Sequence, residues 1–195
     1  MPTPERTSQS AIVAAARDLL EEGGPAAVTM QAVATRVGVR APSLYKRVRD
    51  RDALLTLVAQ ATATELGDRL TASGPRLADL IRTYRAFAHH RPEGFRLMYA
   101  GDAAAAEMGR AAEPVLHVTR VAVGEAALDE ARLLTAWATG FISMELAGAF
   151  RLGGDVDAAF EYGLQRLTAP IPSTDRSRPA AAPAADAAPP ARAAD

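Results

Sequence analysis

Apolar residues in the first part of the chain recur at the spacing of amphipathic helices. A first helix is predicted over residues 6–22, and the GGP sequence at residues 23–25 ends it, because glycine caps helices and proline cannot continue them. Thr29 then caps a short second helix, which Gly38 ends by permitting a left-handed turn. The predicted buried residues of these two helices are Ile12, Ala15, Ala16, Leu19, Met30, Val33 and Val37.

Two further helices are predicted directly after this turn. A short third helix begins at Ala41 and Pro42, since proline is tolerated in a first turn, where amides have no helical partner, and it ends by Arg49. Asp50 can cap a longer fourth helix that runs to residue 70. The buried positions of these helices are predicted at Leu44, Val48, Leu54, Val58 and Ala61.

The rest of the chain keeps the helical spacing. Helices are predicted over residues 77–91, 92–101, 104–123, 133–150 and 155–167. The fourth of these segments is the most hydrophobic, and its 18 residues approach the length of a membrane span. Glu145 lies inside it, and an acid in mid-bilayer is costly, so we favour a helix buried on two sides, against its own core and against a partner subunit.

Composition agrees with a helical protein. The apolar share is 49%, much of it alanine, whereas aromatic residues make up only 5%. Residues 170–195 are rich in alanine and proline, with no large apolar residue after Ile171, and we predict a disordered tail there. No secretory segment opens the sequence, so a cytoplasmic protein is expected.

Charge is informative only locally. The net charge of −1 gives no indication of nucleic-acid binding, but residues 36–51 hold six basic residues against one acid. These bases are Arg36, Arg40, Lys46, Arg47, Arg49 and Arg51. They lie on and directly after two short helices that meet across a tight VGVR corner, the arrangement of a helix-turn-helix. The alternatives are a solvated helix face and a purely structural helical corner.

The segment from residue 6 to residue 55 resembles the DNA-binding domain of the tetracycline-repressor (TetR) family. The matching features are the EEGG end of the first helix, Thr29-Met30 at the second, GV at the corner, SLYKR, and RDALL at the fourth helix. Arg51 stands where the family usually has lysine. Two departures matter: Arg47 and Val48 stand where the family commonly has histidine or tyrosine followed by phenylalanine. Neither departure removes the motif.

The resemblance implies DNA-contacting roles at the matched positions. Thr29 would cap the second helix and touch phosphate, and Arg51 would hold phosphate at the start of the fourth helix. The start of the recognition helix would lie over the bases, with the next residues on the backbone and Arg47 adding a phosphate or guanine contact. The full predicted DNA-binding set is Thr29, Arg40, Ala41, Pro42, Ser43, Tyr45, Lys46, Arg47 and Arg51.

The second half of the chain resembles the branch of this family whose C-terminal domain bears a tryptophan-hydrophobic-glycine signature, here at Trp137 and Gly140. This implies a helical regulatory domain that dimerises through its last two helices. Aromatic residues and methionines suit an adaptable apolar pocket, although each of them is also typical of an ordinary core. The candidate ligand-binding residues are Tyr84, Phe87, Met98, Tyr99, His117, Trp137, Phe141 and Met144, with Glu145 as a second orienting polar group beside His117.

Catalytic and metal sites are not indicated. Cysteine is absent, which excludes disulfides, thiolate metal ligands and cysteine nucleophiles, and no phosphate-binding loop, nucleophile elbow or zinc-binding helix motif occurs. His89 and His90, followed by Glu93, invite a metal hypothesis, but adjacent helical residues point about 100° apart and cannot easily share one ion. We therefore expect no enzyme, no metal and no cofactor.

These inferences combine into an all-α protein with three parts. Residues 1–50 form a three-helix, helix-turn-helix head, residues 51–169 a helical ligand-binding and dimerisation domain, and residues 170–195 the tail. The leading hypothesis is a homodimeric repressor of a palindromic DNA operator, released when a small apolar ligand shifts the fourth helix. The alternatives are an activator, a helical ligand-binding or scaffolding dimer that does not bind DNA and, more remotely, a helical enzyme.

Overall fold

The computed structural model describes residues 8–101 and 104–169, and all the secondary structure it describes is helical, as predicted. The α-helices are α1 (Gln9–Ala27), α2 (Met30–Val37), α3 (Arg51–Ala72), α4 (Leu77–His90), α5 (Pro92–Met98), α6 (Ala105–Val123), α7 (Ala127–Leu146) and α8 (Val156–Thr168). The described residues also include the 3₁₀ helices Ala41–Lys46 and Gly124–Ala126. The predicted tail at residues 170–195 lies outside the described residues.

Capping side chains set the helix starts in the head, as predicted. The Thr29 hydroxyl accepts a hydrogen bond from the Ala32 amide at 3.1 Å, and the Asp50 carboxylate accepts one from the Ala53 amide at 2.8 Å. Gly38 ends α2 with a φ of 76°, a left-handed conformation that favours glycine. These local features set where α2 begins and ends and where α3 begins.

Three details differ from the sequence-based expectations. Helix α1 is interrupted at Gly23 and Gly24 but resumes for one turn, and the residue it buries at its end is Leu20 rather than Leu19, because the buried stripe follows the four-residue spacing of Ile12 and Ala16. The element expected as a third α-helix is a 3₁₀ helix. In α3, Ala61 is half-buried, and its neighbours Ala59, Thr62 and Ala63 are buried instead.

Two hydrophobic cores meet on α3. Leu54 and Val58, in its first half, belong to the core of the head, and Leu66 and Leu70, near its end, belong to the core of the body. Helix α6 lies directly against α3, where a Cβ on Gly67 would be only 3.3 Å from the Ala111 backbone. The division of the chain at residue 50 stays a prediction, because α3 contributes to both cores.

The hydrophobic segment in the second half forms α7, which begins six residues before the apolar run predicted from residue 133 and ends at Leu146. Its buried residues are Ala127, Ala131, Leu134, Ala138 and Ile142, and all of these except Ala127 belong to the body core. No helix in the described part of the chain is long and apolar enough to cross a membrane. Helix α8 then begins after Asp155, whose carboxylate accepts hydrogen bonds from the amides of its first turn.

Candidate nucleic-acid interface and ligand cavity

The 3₁₀ helix at residues 41–46 projects an exposed surface from the head. Its Leu44 side chain and the following Val48 are buried in the head core and anchor it. The residues between and beside them point outward, and Tyr45 is 54% exposed. Of the nine predicted DNA-binding residues, those classed as exposed are Thr29, Arg40, Pro42, Tyr45, Lys46 and Arg47, whereas Ala41, Ser43 and Arg51 are half-buried.

The basic residues around this surface divide into two groups. Arg36 forms a two-point ion pair with Glu22, at 2.9 and 2.6 Å, and its hydrogen bonds lower the pKa of the Glu22 carboxyl. Arg49 pairs with Asp50 at 2.6 Å. Arg40 and Lys46 form no ion pair with any residue that the structure describes. Arg40 and Lys46 therefore offer positive charge to an external partner at less cost than Arg36 and Arg49 do.

The Arg51 side chain makes contacts that the sequence did not indicate. Its guanidinium donates hydrogen bonds to the carbonyl oxygens of Val28 and Pro25, at 2.8 and 2.5 Å. These bonds tie the start of α3 to the end of α1 and the residue that follows it. They use two of the five guanidinium donors, and the side chain is 41% exposed, so contact of Arg51 with phosphate stays a prediction.

The body contains a small apolar cavity of about 40 Å³ between α3, α4 and α6. Aliphatic side chains form most of its wall, and Tyr84, Tyr99 and Thr135 add hydroxyl groups. It continues into an open cleft between α6 and α7, since both spaces are lined by Tyr99, Ala112, Val115 and Thr135. The aliphatic lining residues of the inner cavity are Leu66, Leu70, Leu80, Ile81 and Val115.

Only two of the eight predicted ligand residues, Tyr84 and Tyr99, line this cavity. Phe87 and Met98 are buried in the body core, and His117 lines a separate surface groove beside α3. Trp137 and Phe141 pack between α7 and α8, and Met144 is 48% exposed. The sequence did not identify the other residues of the cavity wall, because most of them are aliphatic. Aliphatic residues at helical spacing cannot be told apart from ordinary core residues in a sequence.

Hydroxyl groups cluster where the cavity opens into the cleft. The Tyr84 hydroxyl lies 2.5 Å from that of Tyr99 and 2.8 Å from that of Thr139. Burial raises the pKa of Tyr84 far above its usual range, so this hydroxyl keeps its proton at every physiological pH. We call Tyr84, Tyr99 and Thr139 the hydroxyl cluster.

Two family models match most of the chain. One, described as bacterial regulatory proteins of the tetR family, matches residues 12–58, and the other, described as a tetracyclin repressor-like C-terminal domain, matches residues 77–167. The first match includes the exposed 3₁₀ helix, and the second includes the walls that α4 and α6 contribute to the cavity. The chain belongs to the TetR family of transcriptional regulators.

Relatives and solved structures agree with this TetR-family assignment. The chain is 29% identical over 180 residues to the uncharacterized HTH-type transcriptional regulator Rv0681 of Mycobacterium tuberculosis, covering 85% of this chain and 82% of the relative. It is 38% identical over 73 residues to the class A tetracycline repressor of transposon 1721 from Escherichia coli, which is 37% of this chain and 32% of the repressor. A TetR variant from Acinetobacter baumannii, solved with minocycline, superposes with a TM-score of 0.62 at 25% identity, over 82% of this chain and 93% of that one.

An aromatic cluster joins the last two helices of this TetR-family protein. The fully buried Phe160 of α8 stacks on Trp137, with ring centroids 5.3 Å apart, and meets Phe141 edge-on at 5.4 Å. A Cβ on Gly163 would lie 2.4 Å from the Trp137 ring, so the indole fits only against a glycine. The signature tryptophan therefore joins α7 to α8 rather than lining the cavity.

Charged groups fix the same helix pair to α4. The Arg85 guanidinium pairs with Glu145 of α7 and, at 2.6 Å, with Asp157 of α8, while its Cζ lies 4.5 Å from the Phe160 ring centre. The hydrogen bond from Arg85 lowers the pKa of Glu145, which His89 also contacts at 3.0 Å. Glu145 thus has a structural partner, which explains an acid inside the most hydrophobic segment.

A second set of polar contacts links the head to the body. The Glu21 carboxylate of α1 accepts hydrogen bonds from the Glu93 and Gly94 amides at the start of α5, at 3.1 and 2.9 Å. Arg17 of α1 pairs with Glu65 of α3 nearby. Helix α5 is therefore held by a side chain of the head, although it packs on the body core through Phe95 and Met98.

No group of three or more histidine and acidic side chains that could hold a metal ion occurs among residues 8–101 and 104–169. His89 contacts Glu145, as described above, and His90 is exposed at the end of α4.

Proposed function

We propose that this protein is a repressor that binds a palindromic DNA operator as a homodimer and is released by a small apolar ligand. The observation that carries the proposal is the 3₁₀ helix with Tyr45 and Lys46 exposed above the buried Leu44. Hydroxyl and basic groups on such a short projecting element suit the major groove, where they meet base edges and phosphates.

Dimerisation is supported by exposed apolar residues on α7, on α8 and on the loop between them. Large apolar side chains left in water on neighbouring elements are typical of surfaces that contact another protein. The exposed residues are Leu128, Leu133, Met144, Phe150, Leu152 and Tyr162. We propose that α7 and α8 pair with those of a second subunit in a four-helix interface, which would set two recognition elements about 34–36 Å apart on one face of the DNA.

Ligand response is supported by the cavity and by its connections. The cavity wall includes Leu66 and Leu70 of α3, whose first half lies in the head core, and Tyr99, which directly follows α5. A relative solved with minocycline shows that a TetR protein binds a small molecule. We propose that the ligand favours a conformation in which α3 and α5 hold the heads at a separation that does not fit the operator.

Fluorescence anisotropy with DNA from upstream of the gene tests the proposal. We expect saturable binding to a fragment that contains a palindrome, with affinity that falls steeply as salt rises, because basic side chains release counterions from the phosphates. A scrambled palindrome in the same fragment is the control. Absent or salt-insensitive binding would favour the alternative, a helical ligand-binding or scaffolding dimer that does not bind DNA.

The Glu21 contact with α5 gives a separate prediction about the link between head and body. Replacing Glu21 by glutamine removes charge-assisted hydrogen bonds, each worth about 1.5–3 kcal/mol, so amide exchange at Glu93 and Gly94 should accelerate about tenfold or more. Hydrogen exchange with mass spectrometry of the peptide from α5 measures this.

Glu22→Gln is the matched control, because the Glu22 side chain is exposed and pairs only with Arg36 among the described residues. It should leave α5 exchange unchanged. Equal exchange in the wild type and the Glu21 variant would show that this contact does not hold α5.

A further inference from the structure

The three hydroxyls of the hydroxyl cluster contain more donors than they use. Each carries one O–H group, and the cluster contains two hydrogen bonds, Tyr84 to Tyr99 and Tyr84 to Thr139. A threonine in a helix can donate its hydroxyl proton to a carbonyl oxygen one turn earlier, as Thr119 does to Val115. Thr139 makes no such bond to a described residue. Whichever way the protons point, one O–H of the cluster has no acceptor among the described residues, and it lies where the cavity opens.

The inner cavity offers nothing to balance a charge. Its lining residues are apolar apart from the hydroxyls of Tyr84, Tyr99 and Thr135. Arg132 lies on the wall of the outer cleft, but its side chain is 69% exposed and pairs with Asp129 at 3.5 Å. An ion that entered the inner cavity would lose its hydration without gaining a partner, which is costly enough to exclude it.

From these two observations we infer that the cavity and the cleft beside it take an uncharged ligand with a compact apolar body and an oxygen acceptor, such as a ketone or an ether. The apolar body lies in the cleft between α6 and α7, which offers about 560 Å³ between mainly apolar walls, and the oxygen accepts the unused proton of the hydroxyl cluster. The inner cavity, at about 40 Å³, has room only for a small group at the end of the ligand. The ligand enters beside Tyr99, which is 45% exposed. This inference rests on the proposed function in one respect, which is that the ligand bound here is the one that regulates DNA binding.

Four probes of nearly equal size test the ligand class on the full-length protein: 2-acetylnaphthalene, 2-isopropylnaphthalene, 2-naphthoate and 2-naphthylmethylammonium. Isothermal titration calorimetry should give affinities for the neutral ketone at least about tenfold higher than for either ion. Binding of either ion as tightly as the ketone would overturn the inference, and so would the absence of binding by all four probes.

Variants test the site and the hydrogen bond. The triple variant Tyr84→Phe/Tyr99→Phe/Thr139→Val removes the hydroxyls and should lower ketone affinity about tenfold while leaving isopropylnaphthalene affinity unchanged. If the triple variant folds poorly, the single variant Tyr99→Phe, at an exposed position, replaces it and should also lower ketone affinity.

Ala112→Phe fills the junction of cavity and cleft and should abolish binding of both neutral probes. Equal losses for ketone and hydrocarbon in the hydroxyl variants, or full binding by Ala112→Phe, would refute the assignment.

Anisotropy with DNA and no probe separates this inference from the proposed function. If the protein binds the ketone but not DNA, the ligand class is supported and the repressor function is contradicted. If the protein binds DNA but none of the probes, or prefers an ion, the repressor function is supported and the ligand class is contradicted.

Discussion

Replacing Arg40 and Lys46 together by alanine is expected to lower operator affinity by about a thousandfold at 0.1 M salt. A dimer would lose four phosphate contacts, and each contact contributes about 0.9 to the slope of log affinity against log salt. The slope should therefore fall by about 3.6 units. Both side chains are exposed beside the 3₁₀ helix, and neither has an ion pair among the described residues. Anisotropy titrations at four or five salt concentrations measure affinity and slope together.

The matched control is Arg76→Ala/Arg110→Ala, which removes the same charge from exposed positions on the body. It should change operator affinity by less than about threefold, because charges more than about 10 Å from the DNA are screened at this salt concentration. Similar losses in the two double variants would mean that overall charge, rather than the head surface, attracts DNA.

Phe160→Ala is expected to destabilise the protein by about 3–5 kcal/mol, the usual cost of truncating a buried phenylalanine. Phe160 is fully buried, and its ring contacts Trp137, Phe141 and the Arg85 guanidinium. Its loss would leave a cavity between α7 and α8 and separate the helices on which the proposed dimer depends. Urea unfolding monitored by circular dichroism gives the free energy, and sedimentation gives the oligomeric state.

Val121→Ala provides the comparison for Phe160→Ala, because Val121 is an apolar residue that is exposed on α6. Its free energy of unfolding should change by less than about 0.5 kcal/mol, as is usual for surface substitutions. A Phe160 variant as stable as the Val121 variant would contradict the central position of the aromatic cluster.

The head was predictable because its signals are local. Thr29 and Asp50 each cap a helix through an amide three residues ahead, and Gly38 needs only its own backbone angle to end α2. The 3₁₀ conformation of residues 41–46 was not predictable, since capping and proline signals at Ala41 and Pro42 are shared by both kinds of helix. The hydrogen bonds of Arg51 reach carbonyl oxygens 23 and 26 residues away, which no local sequence pattern contains.

The body was predictable as a set of helices but not as a site. Periodicity identified α4, α5 and α6, yet it treats a residue that lines a cavity and one that fills the core alike. Tyr84 was predicted as a ligand-binding residue and does line the cavity. Trp137 was predicted as one too, but its ring packs against Gly163 of α8. The hydroxyl cluster was missed because Tyr84 and Thr139 lie 55 residues apart in the chain.

The continuity of α3 has a mechanical consequence. A helix of 22 residues is about 33 Å long, and this one has no proline or break between Leu70 at the cavity and Arg51 in the head. Such a rod acts as a lever: a tilt of about 5° around its cavity end would carry its far end about 3 Å sideways. In the proposed dimer, a displacement smaller than one methyl group at Leu66 would thus reach the DNA as a mismatch of several ångströms between the two heads.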